Sequence, residues 1–266
     1  MKNLKMKELK GRFSMDLFSY FDLKNKYTES EISEMKKLLS NQKVVVIKNV
    51  WDKEFIDSIK NYLIKVGKNS IPNYDQILPY AKNFHRLNKT DERAYVKGCF
   101  HQFNFFPWNQ DYFDLFKAAK SIFQLKNILS DIDKSRFLFL DGKIDENFTA
   151  RIGFQFYPSG YGYLNKHSDP VSSHQFALPN MIMSKKGDDF QNGGAYFELD
   201  GQKVFHEEVC EVGDVVFFDA RLPHGVELID KDKKTDWLKF EGRWMGLFSV
   251  NKYANSMAIE DSKELK

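Results

Sequence analysis

In the stretch YLNKHSDPVS, a histidine and an aspartate, His167 and Asp169, stand two positions apart. Side chains alternate along an extended chain, so residues i and i+2 at a strand end reach to the same side. An imidazole and a carboxylate held in that way form two thirds of a metal site. The plainer reading is a pair of polar residues in a turn. The choice depends on a third ligand delivered by another strand. EVGDVVFFDARLPHGVELI offers His224: a turn launches the apolar run VVFF, a short loop follows, and the histidine opens the next strand. The other histidines are His85, His101, His174 and His206. His174 competes with His167 but falls in loop-like sequence, and His206, in KVFHEE, reads as a strand-end residue.

Two imidazoles and one carboxylate on one face of an octahedral metal leave three positions open. This is the facial donor set of non-haem Fe(II) oxygenases, which admit a chelating co-substrate and O2 at those positions. Such ligands must be carried by short strands whose inner faces converge. From about residue 136 the sequence supplies them: RFLFL, ARIGFQFY, ALPNMIMS, GAYFELD, QKVFHEE, DVVFFDA, HGVELI and RWMGLFSV, separated by turn signals such as PSGYG and LDGQ. Their number and spacing predict an antiparallel double sheet, a jelly roll. Ahead of them lie helical patterns. TESEISEMKKLLS has capping-box spacing between Thr28 and Glu31, and WDKEFIDSIKNYLIKVGKN has Asp52 as N-cap and Gly67 as a stop. DYFDLFKAAKSIFQLKNIL predicts a third helix, and KVVVIKNV, between the first two, predicts a strand. The expected fold is mainly β with flanking helices: a double-stranded β-helix (jelly roll) core over 136–252, N-terminal helices within 1–135 packed on one sheet, and a solvated tail over 253–266, all in a single domain.

Composition bounds the function classes. The 266 residues are 42% hydrophobic and 15% aromatic, enough for a substantial core, and 40 basic against 37 acidic residues leave a net charge of +3. That balance gives no electrostatic footprint for nucleic acid. Two cysteines, Cys99 and Cys210, exclude a disulfide framework and a Cys-rich zinc site. The basic start MKNLKMKELKGRFSMDLF lacks the apolar centre of a signal peptide, and no run is long enough to cross a bilayer. The expected location is cytoplasmic, with no membrane or nucleic-acid partner and an oligomeric state that the sequence leaves open.

Taken together and in order, the motifs of residues 151–250 resemble the core of the Fe(II)/2-oxoglutarate-dependent dioxygenases, on the prolyl-hydroxylase-like and phytanoyl-CoA-hydroxylase-like side of that superfamily. FYPSGYGYLNKHSDP resembles the family's tyrosine, Gly-bearing turn and HxD. ALPNMIMSKKGDDFQNGGAYFEL resembles its strand, acidic loop and Gly-Gly strand. EVGDVVFFDARLPHGVELI resembles the strand pair bearing the distal histidine, and EGRWMGLFSVN resembles the closing strand with a basic residue. Residues 1–135 carry no such resemblance. It implies Fe(II) held by His167, Asp169 and His224, with 2-oxoglutarate and O2 as co-substrates. A small-molecule C–H bond, in an amino acid or specialised metabolite, would be hydroxylated with release of succinate and CO2. The full HxD argues against the related halogenases, which replace this carboxylate with a small residue.

The far carboxylate of 2-oxoglutarate needs a cation, and a guanidinium fork suits it. Arg243, in an apolar strand where an unpaired charge is costly, is the expected partner, with Tyr157 and Ser249 assisting. Arg151 and Arg221 compete for that role, Arg221 alternatively reaching substrate. The loop DKDKKTDWLKFE separates His224 from Arg243. Residues 83–113 mix Arg86 and His101 with aromatics at weak periodicity; they read as irregular structure forming a substrate lid or as a loop packed by its own aromatics. Other outcomes at the same site are desaturation, epimerisation or protein side-chain hydroxylation, and a reading from a different class is a jelly-roll ligand-binding module.

Overall fold

In the computed structural model, which describes residues 17–256 and 261–266, the β-branched and aromatic runs become strands of one curled sheet. The strands are β1 (Phe18–Asp22), β2 (Val44–Lys48), β3 (Phe84–Lys89), β4 (Gly98–Phe105), β5 (Phe148–Pro158), β6 (Tyr163–Ser168), β7 (Ala177–Ile182), β8 (Gly194–Leu199), β9 (Gln202–Phe205), β10 (Val215–Asp219), β11 (His224–Glu227), β12 (Gly242–Lys252) and β13 (Lys263–Glu264). Their order is β1-β2-β10-β7-β12-β5-β4-β6-β11-β8-β9, with β3 on β4 and β13 on β6. Four helices are present among the described residues: α1 (Glu29–Ser40), α2 (Lys53–Asn69), α3 (Leu115–Ala118) and α4 (Lys120–Leu129). This is the expected jelly-roll core with flanking helices. The amino-terminal segment before residue 17 and part of the expected tail, 257–260, lie outside the described residues.

The frame is the eleven-residue pair β5 and β12, in register from Gly242↔Pro158 to Lys252↔Phe148. Alternation sorts their side chains. Trp244, Phe248 and Val250 with Ile152, Phe154 and Phe156 form a core with Met35 and Leu39 of α1, Ile56, Ile59 and Leu63 of α2, and Phe123 of α4. The opposite face carries Met245, Leu247 and Ser249 with Arg151, Gln155 and Tyr157, and lines an internal cavity. One sheet face therefore bears the helices and the other faces the interior, as antiparallel pleating requires.

The caps read from sequence are present. Thr28 and Glu31 close a reciprocal capping box on α1, and Asp52 accepts from the Phe55 amide at 2.7 Å on α2. Gly67, however, does not stop α2, which continues to Asn69. A Cβ there would come within 2.3 Å of the Phe240 ring, so glycine is required for close packing rather than termination.

Four further expectations are corrected. Residues 83–113 are only partly irregular: they contain β3 and β4, β4 lies inside the sheet between β5 and β6, and the loop between them lines the cavity at residues 93–96. Their weak periodicity arises because β4 is buried on both faces along its whole length. RFLFL is a series of bends, broken by left-handed φ at Phe137 and Phe139. The predicted third helix is interrupted at Ala119. The tail is docked rather than free, since Lys263 and Glu264 pair with Ser168 and His167. No described helix is long and apolar enough to cross a membrane.

Candidate metal centre and its cavity

β6 and β11 run antiparallel with His224 directly opposite His167, which sets the two rings side by side at 4.1 Å between centroids. Asp169, just past the end of β6, is fixed by its amide bond to the Ala220 carbonyl at 2.7 Å. Its Oδ2 lies 3.4 Å from His224 Nε2 and 3.9 Å from His167 Nε2. One ligand atom from each of the three residues falls within 4.8 Å of the others.

Tautomers follow from the neighbours. His167 Nδ1 is 2.9 Å from the Asn165 carbonyl, and His224 Nδ1 is 2.9 Å from that of Leu222. A carbonyl only accepts, so both Nδ1 atoms carry the proton and both Nε2 lone pairs point toward Asp169. Burial, reinforced by His224, lowers the His167 pKa to about 4, so this ring is neutral near pH 7. Burial alone would raise the Asp169 carboxyl. Its contacts with His224, His167 and the Ser262 hydroxyl instead hold it well below the usual carboxylate range. Two imidazoles with Nδ1 anchored on carbonyls and one ionised carboxylate are the donor set and outer support that a divalent transition metal requires.

The three residues lie in the wall of a cavity of about 290 Å³. Its lining includes Tyr157, Gln155 and Arg151 of β5, Met245 and Ser249 of β12, Arg86 of β3, and His206. Toward the start of β12, Arg243 shares the inward face with Met245 and is 1% exposed. Its Nε donates to Glu207, which is buried to the same degree, and its guanidinium lies 5.5 Å from the Tyr157 ring centre. Arg243 Nη1 is buried with no partner among the described residues, as is His206 Nε2. An orphaned guanidinium nitrogen beside a cavity is a position that an added anion would satisfy. Burial, with Arg243 and His224 nearby, depresses the His206 pKa and keeps its ring neutral.

The expected site residues separate into two groups. His167, Asp169 and His224 converge; Tyr157, Ser249 and Arg86 line the same cavity. Ser249 does not assist Arg243. It sits six positions further along β12, opposite Arg151, and accepts from Arg151 Nε at 3.3 Å. Arg221 is held by Asp219 through its Nε at 2.9 Å, its side chain is 59% exposed, and it does not line the cavity. His101 does not face the cavity because its neighbour Gln102 does, and adjacent strand residues point oppositely. It instead bonds His85 at 2.8 Å and packs against Phe240. The sequence reading missed Glu207, His206 and Ser262. An HE pair following a strand carries no local signal, and Ser262 is remote from the site in sequence.

No family model matches the chain, and no curated protein matches its sequence. Solved structures do resemble it in shape. A prolyl-4-hydroxylase from Pseudomonas putida superimposes with a TM-score of 0.51 at 15% identity, over 84% of this chain and 98% of the other. A full-length Neurospora crassa enzyme, in complex with alpha-KG and thymine, gives 0.53 at 12% identity, over 89% and 86%. JOX2 in complex with 2OG, Fe and JA gives 0.51 at 12% identity, over 89% and 75%. The chain shares the fold of these solved structures, a jelly-roll core with flanking helices.

Proposed function

We propose that this protein is an Fe(II)- and 2-oxoglutarate-dependent oxygenase that hydroxylates an unactivated C–H bond of a small molecule. The observation that carries the reading is the convergence of His167, Asp169 and His224 within 4.8 Å in the wall of a cavity. Those three residues would hold the ferrous ion. Arg243, through its orphaned Nη1, and the Tyr157 hydroxyl are suited to take the distal carboxylate of 2-oxoglutarate. When bound, iron and 2-oxoglutarate supply the activation of O2, with succinate and CO2 released.

The chain's own residues do the positioning. The Asn165 and Leu222 carbonyls hold Nδ1 of each ring, so Nε2 is the nitrogen presented to a metal. The Ser262 hydroxyl donates to Asp169 Oδ1 and leaves Oδ2, the oxygen nearer both imidazoles, free. The Tyr157 hydroxyl donates to Gln155 Oε1 at 2.7 Å and would turn from it to donate to a bound carboxylate. Phe100, Leu164, Leu178, Val226 and Met245 provide apolar walls that exclude water from the reacting centre.

The test is spectroscopic. Anaerobic addition of Fe(II) and 2-oxoglutarate should produce the weak visible charge-transfer band of the chelate, and His167→Ala should abolish it. A jelly-roll ligand-binding module would give no band in either protein, and that result would overturn the reading.

A further inference from the structure

Away from Arg243, the same cavity carries positive charge that iron and 2-oxoglutarate leave unanswered. Arg151 stands opposite Ser249 on β12, six positions from Arg243, or roughly 20 Å at about 3.3 Å per residue. A five-carbon diacid anchored at Arg243 is too short to reach it. The hydrogen-bond partners of Arg151 are two neutral oxygens, Ser249 Oγ at 3.3 Å and Asn104 Oδ1 at 3.2 Å, and among the described residues no carboxylate pairs with it. Burial and the neighbouring Arg86 lower its pKa to about 10, opposed by the charge of Asp169. Arg151 and Asp169 line the same cavity, so this guanidinium belongs to the space in front of the metal centre.

Arg86 reaches the same space from β3. It pairs with Gln102 of β4, which pairs with Gln155 of β5, so all three residues point inward. Its nominal partner, Asp91, lies at 3.5 Å and is already committed to Arg93, with contacts at 2.9 and 2.7 Å. Arg86 Nε is buried and has no partner among the described residues, and the Tyr74 ring covers the guanidinium at 4.5 Å. Two guanidiniums facing one polar space, held only by amides, a hydroxyl and a distant shared carboxylate, are costly unless an anion completes them.

We propose that Arg151 and Arg86 form the subsite for an oxyanionic group, a carboxylate or a phosphate, on the molecule that is oxidised at the metal centre. Arg151 contacts the anion directly, and the Gln102 and Asn104 amides border it. The substrate is thus a small polar anion whose reacting carbon lies a short span from its charged end. This rests on the proposed metal-centre chemistry.

The experiment first records the Fe(II)/2-oxoglutarate band, then measures O2-dependent succinate release with two sets of probes. One set pairs free amino acids and hydroxy acids with their primary amides; the other pairs phosphomonoesters with their parent alcohols. The expected result is stimulation by anionic members only, and the responding set identifies the oxyanion. Arg151→Gln should keep the band but raise the KM of the stimulating compound roughly 10- to 100-fold, and Arg151→Lys should recover part of that loss. A neutral probe as effective as its anion would overturn the proposal. So would unchanged KM in Arg151→Gln, or silence in both sets while the band forms. A missing band in the unmodified protein would instead remove the metal-centre reading, and this proposal with it.

Discussion

The metal centre and the Arg151 region are walls of one cavity, built on opposite principles. At the metal centre every polar group is already placed: two Nδ1 atoms on carbonyls, the Asp169 amide on Ala220, and its Oδ1 beneath Ser262. Only the convergent lone pairs are left over. Around Arg151 the side chains are placed but their charges are not met, since the partners are neutral and Arg86 Nε has none. A site assembled before its ligand arrives can order that ligand; a site with unmet charge can select one. The contrast suggests that the first wall determines what chemistry occurs and the second which molecule undergoes it.

The largest expected effect breaks the first wall. Asp169→Ala should abolish the charge-transfer band and all 2-oxoglutarate turnover while leaving the far-UV circular dichroism unchanged. Retained turnover would show that the ligands are misassigned. Next comes the pair that bounds the cavity near the start of β12. Arg243→Ala leaves Glu207 buried and unpaired, which should cost about 3–5 kcal/mol of stability and greatly raise the KM for 2-oxoglutarate. Denaturant unfolding beside 2-oxoglutarate titration separates the two consequences; a change in neither would remove Arg243 from the co-substrate assignment.

Ser262→Ala should be milder. It removes only a group that orients Asp169, and metal affinity should fall roughly 10- to 100-fold, measured by Fe(II) titration, with melting temperature little changed. The smallest effect is graded. His167 protonates at about 4 when folded against an ordinary 6.5, so between those values the unfolded chain binds more protons. Metal-free stability should therefore be complete above about pH 6.5 and decline toward pH 4, with a slope of at most about 1.4 kcal/mol per pH unit from this group. Asp169 adds to the loss at still lower pH, because its folded pKa is also depressed. His167→Asn should make the acid limb shallower by that amount, the remainder belonging to His85, His101 and His206, whose pKa values burial also lowers; an unchanged limb would exclude this ring as a source of the slope.

The same contrast explains what could be read from sequence. The convergence of His167, Asp169 and His224, the proposed metal ligands, was legible because each signal is local: a two-residue spacing at a strand end, and a histidine opening a strand after a buried run. Helix caps at Thr28 and Asp52 were legible for the same reason. The Arg151 region was not, because its parts come from β3, β4, β5 and β12, and only the register determines which alternate residues face inward. Arg86 and His101 illustrate this. Both were candidates from one aromatic stretch, yet one-residue alternation sends Gln102 and its cross-strand partner Arg86 into the cavity and His101 toward the helices. Arg243 was found from an unpaired charge in an apolar strand, but its Glu207 partner, 36 residues earlier in the chain, was not visible.

The short strand β13 carries a consequence of its own. It lies on β6 at His167 and Ser168, tied by Glu264 to the Lys97 amide at 2.8 Å and to Asn165 at 3.0 Å, while Lys252 meets Asp261 at 3.0 Å. Ion binding at the proposed metal site and docking of residues 261–266 would therefore be thermodynamically linked, each changing the other by the same factor. Proteolytic trimming of these residues should weaken ion retention by the factor with which the bound ion shields them from the protease.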